Sequence, residues 1–521
     1  MRTTLLWLVA AAMFCCAPPV QTYAQALTPR AANRILEQAT WGPTPESSLQ
    51  LQALGLKSWF AHQVAAPIST YPDQPLLNAQ GNPNTNVGPV QLQFFENALN
   101  GQDQLRQRVA FALSEIWVVS NLEVANASAF PPLMRIFQRR AFDNYEALMK
   151  DVTLNPGMGR FLNMVNNDKG NPAKGTAANE NYAREIMQLF TLGLTKLHDD
   201  GTPVLDSNDN PEPTYTQTDV TNMAKAFTGW VYGAPPGVAP AGHDRAYYLT
   251  PMIPLEVEHD QTAKSILDAT LPAGQTAEQD LDDALHVLFT QSSVPAFVSQ
   301  QLIQHLVTSN PSLEYVRRVA DVFKDNGSGV RGDLQAVVYA ILADPEARAA
   351  DAADAMDQDT FGHLREPVLL VANLLRGLGG NLSPTSRVAA SAANLGQNLF
   401  YAPSVFSYFS PQYRTSGGLP APEFQIYSTQ TAASRVNLLN SAIYDGHFDT
   451  GTKFNISSYV EAAESTSGVI GLINDRFFHD DMSNSLNLAI VQALHPLTSA
   501  SDRAKAALYV ALTSSEYQVI H

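Results

Sequence analysis

Cysteine is almost missing. The 521 residues carry two, adjacent at Cys15 and Cys16, which leaves no framework of disulfides and no four-cysteine metal site. Charge is scarce too: Asp, Glu, Lys and Arg make up 16% of the chain, and 32 basic residues face 49 acidic ones, for a net charge of −17. No run of Lys or Arg interrupts that balance. An acidic surface repels phosphate backbones and anionic lipid, which excludes nucleic-acid binding as the main task. Several local signatures are also absent. There is no G-x-S-x-G elbow, no H-E-x-x-H, no Walker loop and no dinucleotide fingerprint.

The one long apolar run is at the N-terminus. Arg2 is followed by an apolar stretch from Leu5 to Ala17, and Ala24-Gln25-Ala26 offers small residues for cleavage. That is the layout of a secretory leader, and the stretch is too short to span a bilayer well. The expectation is a leader over residues 1–26 and an exported chain, periplasmic or secreted. Its mature part, 27–521, has no transmembrane segment and no cysteine. With 45% apolar residues, that part can bury a large core without covalent staples. It reads as a single large domain. The Pro- and Gly-rich stretch from Gly233 to Pro254 offers a boundary between two lobes, 27–235 and 236–521.

Helical periodicity dominates. Leu105, Val109, Ala112, Leu113 and Ile116 recur at three- and four-residue steps, as do Tyr182, Ile186, Leu189 and Phe190 in a helix from about Asn179 that stops at Gly193. Further helices are expected at 280–290, 294–308, 313–324, 333–343, 365–377, 430–444 and 502–512. The fold class is therefore all-α, with a minor β-hairpin near Tyr247 to Leu267. One pattern recurs as LQAVVYAILADPE (334–346), AKAALYVALTSSE (504–516) and, more loosely, LDDALHVLFTQSS (281–293). Each is an apolar helix ending at Asp or Ser, which can cap the next helix.

Polar residues on or near these stripes are the site candidates. Glu185 sits at the flank of a buried stripe, where a carboxylate must be paired or face a cavity. It is a candidate general acid, base or metal ligand, or one member of a structural ion pair. Glu180 and Arg184 belong to the same segment and are ion-pair candidates. Arg108 and Glu115 share one flank of the helix at 105–117 and are placed to bracket Glu185. His259-Asp260, followed by Lys264, resembles the histidine–aspartate pairs of metal phosphohydrolases, or a turn in which Asp260 bonds its own backbone. Asp206, Asn208 and Asn210 alternate like the start of a calcium loop. Pro211 then stands in place of the usual glycine and Gln217 in place of the closing Glu, so a solvated acidic loop is the competing reading. The stretch from Gly396 to Tyr413 carries Phe400, Tyr401, Phe406, Tyr408, Phe409 and Tyr413. Such rings either fill a core or line a groove where their faces stack on sugars.

Seven segments together carry a resemblance: AANRILEQATWGPTP (31–45), LRQRVAFALSEIWVVS (105–120), NENYAREIMQLFTLG (179–193), YTQTDVTNMAKAFTGW (215–230), EHDQTAKSIL (258–267), GQNLFYAPSVFSYFSPQY (396–413) and APEFQI (421–426). As an ordered set they resemble the domain of unknown function 1800 family of exported bacterial proteins. The resemblance implies an exported helical protein without an established activity, so no catalytic residues carry over. It also implies a partner: members look to be encoded beside exported sulfatase- and phosphatase-like proteins of the domain of unknown function 1501 family. The family's motif H-D-x-G-x-K-T departs here to His259, Asp260, Gln261, Thr262, Ala263, Lys264 and Ser265. The leading expectation is an accessory or binding protein of the cell envelope, acting with a partner protein or polymer and needing no cofactor. The alternative is an extracellular or periplasmic hydrolase, in its metal-dependent form with a divalent ion, that gathers Glu185, His259 and Asp260 in one cleft.

Overall fold

Helix starts in this chain are written in Ser, Thr, Asn and Asp. Thr28 caps the helix Pro29–Ala39, and Thr44 and Ser47 cap each other reciprocally at the start of Pro45–Ala65, satisfying backbone donors that a helix end leaves open. The computed structural model describes residues 27–240, 242–243, 245–352 and 360–521. The leader candidate and both cysteines lie outside the described residues.

The fold is mainly helical, and the expected helices appear close to their expected bounds: Gln104–Ile116, Ala277–Thr290, Val294–Leu306, Leu313–Lys324, Leu334–Ala343, Pro367–Gly377, Thr429–Asn440 and Ala500–Leu512. Two continue where the periodicity points but in a wider coil. Asn181–Glu185 runs on as a π-helical turn, Ile186–Thr191, and Thr429–Asn440 does the same through Ser441–Asp445. Gly193 stops the first of these with φ of 73°, the left-handed conformation that glycine adopts without a Cβ penalty.

The recurring pattern marks two equivalent helical hairpins. In one, Leu313–Lys324 and Leu334–Ala343 are closed by the turn of helix Pro345–Arg348; in the other, Asn484–Leu494 and Ala500–Leu512 are closed by Ser515–Gln518. Asp344 and Ser514 cap the closing turns as expected. Each hairpin is also latched. The cap serine of its first helix, Ser312 or Ser483, donates its backbone N–H at 3.0 Å to Glu346 or Glu516 in the closing turn, and its hydroxyl donates to the same carboxylate.

The largest apolar cluster runs from Ala32 to Ile520, taking residues from both sides of position 235, and a second is built from the C-terminal helices, Leu370 to Tyr517. The β-structure among the described residues is small. The hairpin is formed by Lys264–Ile266 with Ala269–Leu271, turning at Leu267 with φ of 53°. It therefore starts near the end of the expected segment. Upstream, Tyr247, Tyr248 and Met252 are buried, and Ile253–Pro254 pairs back to Trp230–Val231. His363–Leu364 pairs with Val519–Ile520, tying the end of the chain to its middle. Among the described residues, no helix is long and apolar enough to cross a membrane.

Candidate functional site

The helix Gln104–Ile116 is buried along nearly its whole length, including its charges. Arg108 is 1% exposed. Its Nη2 donates to the backbone oxygen of His305, while Nε and Nη1 have no hydrogen-bond partner among the described residues. Four buried glutamates act on it electrostatically: Glu37, which has its own partner in Arg365, and three others, Glu366, at the N-cap of helix Pro367–Gly377, Glu115, two turns along its own helix, and Glu423, in the short turn Pro422–Ile426. One guanidinium cannot offset three carboxylates out of water. Burial accordingly pushes Glu115 well above the usual carboxylate range, with Glu366 adding to the effect. Burial also raises Glu366, against the pull of Arg108. Glu423 is pushed up to about 8, again by burial, although the Ser309 hydroxyl donates to it at 2.8 Å. His305 moves the other way, down to about 3, through burial and then the Arg108 charge. At neutral pH the Glu423 carboxyl is therefore mostly protonated and the His305 imidazole is neutral.

Two of these glutamates, Glu115 and Glu423, together with His305 reach the wall of a cleft of about 420 Å³. Its other walls are apolar rings, Phe297, Phe406 and Phe409, and side-chain amides, Gln188, Gln300, Gln301 and Gln304. Phe406 is 41% exposed. The Gln301 Nε2 is buried and has no hydrogen-bond partner, which is costly unless something else takes its protons. The loop that carries Phe406 is held from below. Ser407, at φ of 65°, donates its hydroxyl to Glu115 at 2.7 Å. A Cβ on Gly193 would lie 2.9 Å from the Phe297 ring, so this glycine sets how closely the ring packs against the cleft floor. The aromatic stretch thus divides. Phe400 and Tyr408 are buried in core packing, Phe409 is buried but reaches the cleft wall, and Phe406 stands exposed on it.

A slightly larger cavity, about 480 Å³, lies beside Arg30, Arg34 and Asp481. Its charges are already matched, Arg30 with Asp481 at 2.7 Å and Arg34 with Asp351 at 3.1 Å. The cleft lined by amides and rings, one of them the exposed Phe406, is the stronger site.

The other candidates sit elsewhere. Arg108 and Glu115 share a network, but with Glu366 and Glu423 and not with Glu185. Glu185 is half-buried beside Arg184, its Oε2 lacks a hydrogen-bond partner, and burial raises its pKa. Glu180 pairs with Arg184 at 3.1 Å and accepts from Thr221 and Gln217, each at 2.8 Å, joining two helices. His259 is buried, with Nε2 3.0 Å from Asp280 and Nδ1 3.0 Å from the Thr228 oxygen, and Asp280 also pairs with the buried Lys264. Asp260 accepts from the Thr262 backbone at 2.9 Å. Glu185, His259 and Asp260 are all absent from the cleft lining. The Asp206 Oδ1 accepts from the backbones of Asn208 and Asn210 at 2.8 and 2.9 Å, so the alternating acidic pattern builds a self-capped turn. Among the described residues, no group of three or more His, Cys, Asp or Glu is placed to hold a metal ion.

Sequence reasoning missed Glu366, Glu423, His305 and Gln301. The available signals were Glu366 immediately before Pro367 at a helix start, and Glu423 inside the quoted segment APEFQI. Glu423 gives a pH-dependent prediction. Its carboxyl binds a proton more tightly folded than unfolded, so stability falls as pH rises from about 4.5 towards 8. Glu423→Gln removes that loss. In thermal melts the variant should match the parent at pH 4 and exceed it at pH 8.5, by at least about 1 kcal/mol. A gain of the same size at both pH values would contradict the assignment.

A model of the family described as protein of unknown function, DUF1800, matches residues 34–519. No curated protein and no solved structure matches the chain.

Proposed function

The chain belongs to the DUF1800 family, and from that premise and the geometry of its cleft we propose that it is an exported binding protein that takes a neutral, polyhydroxylated polymer of the cell envelope. The observation that carries the reading is the exposed Phe406 ring on a cleft walled by Phe297 and the side-chain amides of Gln300, Gln301 and Gln304. Rings cover the apolar faces of sugars, and amides and neutral carboxyl groups exchange hydrogen bonds with hydroxyls. The neutral state of the Glu423 carboxyl suits an uncharged ligand, and the net charge of −17 disfavours an anionic one. The leader-like N-terminus supports export. A sulfatase- or phosphatase-like protein of the 1501 family, encoded nearby in relatives, is the proposed partner in handling the same polymer.

The test is calorimetric titration of the protein with cello-, malto-, xylo- and chito-oligosaccharides. At least one series should bind, and Phe406→Ala should weaken it about tenfold, the loss of roughly 1.4 kcal/mol of ring stacking. Binding by none of the four, or binding indifferent to Phe406→Ala, would overturn the reading.

A hydrolase is the second reading, and one observation favours it: a carboxyl that stays protonated near neutral pH, Glu423, stands in the cleft wall, as a general acid for glycosidic cleavage must. Chromatography of the same titration mixtures after prolonged incubation decides. Shortened chains support the hydrolase, and intact ones leave the binding protein.

A further inference from the structure

The loop that carries Phe406 has a cavity on each side. One is the cleft just described. The other, also about 420 Å³, is lined by Ser120, Glu123, Arg160, Asn163, Asn181 and Ser404 among others. Val405 lies in the wall of both, so the two cavities meet across a single residue. We propose that they form one groove, and that the second cavity holds the next units of the same neutral chain as it crosses Val405. This inference rests on the cleft being a sugar site, and it gives the polymer of that reading a path, with a second set of subsites beyond Val405.

The chemistry of the second cavity matches that ligand. Asn181 donates its Nδ2 to Asn163 Oδ1 at 3.1 Å, which orients both amides and leaves the Asn163 NH2 group and the Asn181 oxygen open to hydroxyls. Asn163 holds this position from a left-handed backbone, φ of 60°, a conformation that asparagine tolerates better than most residues. Arg160 is exposed at the end of helix Pro156–Phe161 and makes no ion pair or side-chain hydrogen bond among the described residues. Its planar fork of donors suits a pair of vicinal hydroxyls. Glu123 adds an acceptor on the same cavity wall and opposes an anionic group there. Donors and acceptors therefore occur together, as a neutral polyol needs. The bridging loop is fixed as well, by the backbone bridge between Ser404 and Ser407 and by the bond from Ser407 to Glu115.

Length dependence tests this. Two-unit and six-unit members of whichever cello-, malto-, xylo- or chito-series binds are titrated into the full chain and into Arg160→Ala, with a thermal melt confirming that the variant is folded. The six-unit ligand should bind at least tenfold more tightly than the two-unit ligand, and Arg160→Ala should erase most of that advantage. Equal affinity at both lengths, or a length advantage untouched by Arg160→Ala, would overturn the groove while leaving the cleft reading intact. Failure of every series at both lengths would instead overturn the cleft reading, and the groove with it.

Discussion

Arg108→Ala is expected to destabilise the protein by about 3–5 kcal/mol in chemical denaturation, with the loss growing as the pH is raised from 5 to 9. Arg108 is the buried cation around which Glu366, Glu115 and Glu423 are grouped. Without it their ionised forms lose the main counter-charge, leaving Arg435 to act on Glu366 alone, so the fold is favoured where they keep their protons. That condition sets the sign of the pH effect: each of the three already titrates above its ordinary range, and removing a cation moves them further up. Arg139→Ala is the control. Arg139 is exposed, with its nearest carboxylate oxygen, on Asp151, at 3.9 Å, and its loss should fall within about 0.5 kcal/mol of zero. An Arg108→Ala variant as stable as the control, or one whose deficit does not change with pH, would show that the cluster is not held by this guanidinium.

Asp280→Asn is expected to be equally damaging for a different reason. Asp280 and Lys264 are both fully buried, and His259 bonds the same carboxylate. Neutralising Asp280 removes the close partner of the Lys264 charge and leaves it the backbone oxygens of Asp260 and Thr262 and the more distant Asp260 carboxylate, at 4.0 Å, at a cost of about 3–5 kcal/mol. Replacing both partners should recover part of it, because an apolar pair of similar volume carries no desolvation penalty, while His259 Nε2 still loses its partner. Lys264→Met with Asp280→Leu is the matching double variant. Denaturation of the single and double variants separates the possibilities: if Asp280→Asn costs less than about 1 kcal/mol, the pair is not the anchor of this corner of the fold. The histidine–aspartate motif then needs no metal to explain its composition, since His259 and Lys264 converge on Asp280, a residue outside the motif.

These two networks show where the sequence was legible and where it was not. Local signals were sufficient for the helices with a clear apolar stripe, though others, such as Gly88–Asn100, Phe130–Arg140 and Thr466–Phe478, were not expected. The stripe through Leu105, Val109 and Ile116, the glycine stop at Gly193 and the caps at Asp344 and Ser514 are each set by neighbours within one or two turns. Arg108 and Glu115 stood out because both interrupt an apolar face of a single helix. Their partners did not, because Glu366 and Glu423 come from distant segments and meet them only through tertiary packing. The same limit applies to His259: its turn chemistry was readable, but its pairing with Asp280 depends on helix Ala277–Thr290 docking against it. For Glu185, the flank of a stripe was read as a place for a network. Arg108 instead meets Glu366 and Glu423 from distant segments, and Glu185 keeps only its neighbour Arg184 as an opposing charge. The aromatic stretch needed the fold as well, since composition cannot say which ring, here Phe406, stays outside when its neighbours pack inward.

The central claim is that the cleft beside Gln301 and Phe406 takes a neutral sugar chain. A crystal structure of the protein grown with the tightest-binding six-unit oligosaccharide tests it most directly. The account predicts a sugar ring lying face-on against Phe406, with its hydroxyls bonded to the side-chain amides of the cleft wall. Oligosaccharide seated only in another cavity, with Gln301 and Phe406 untouched, would contradict it.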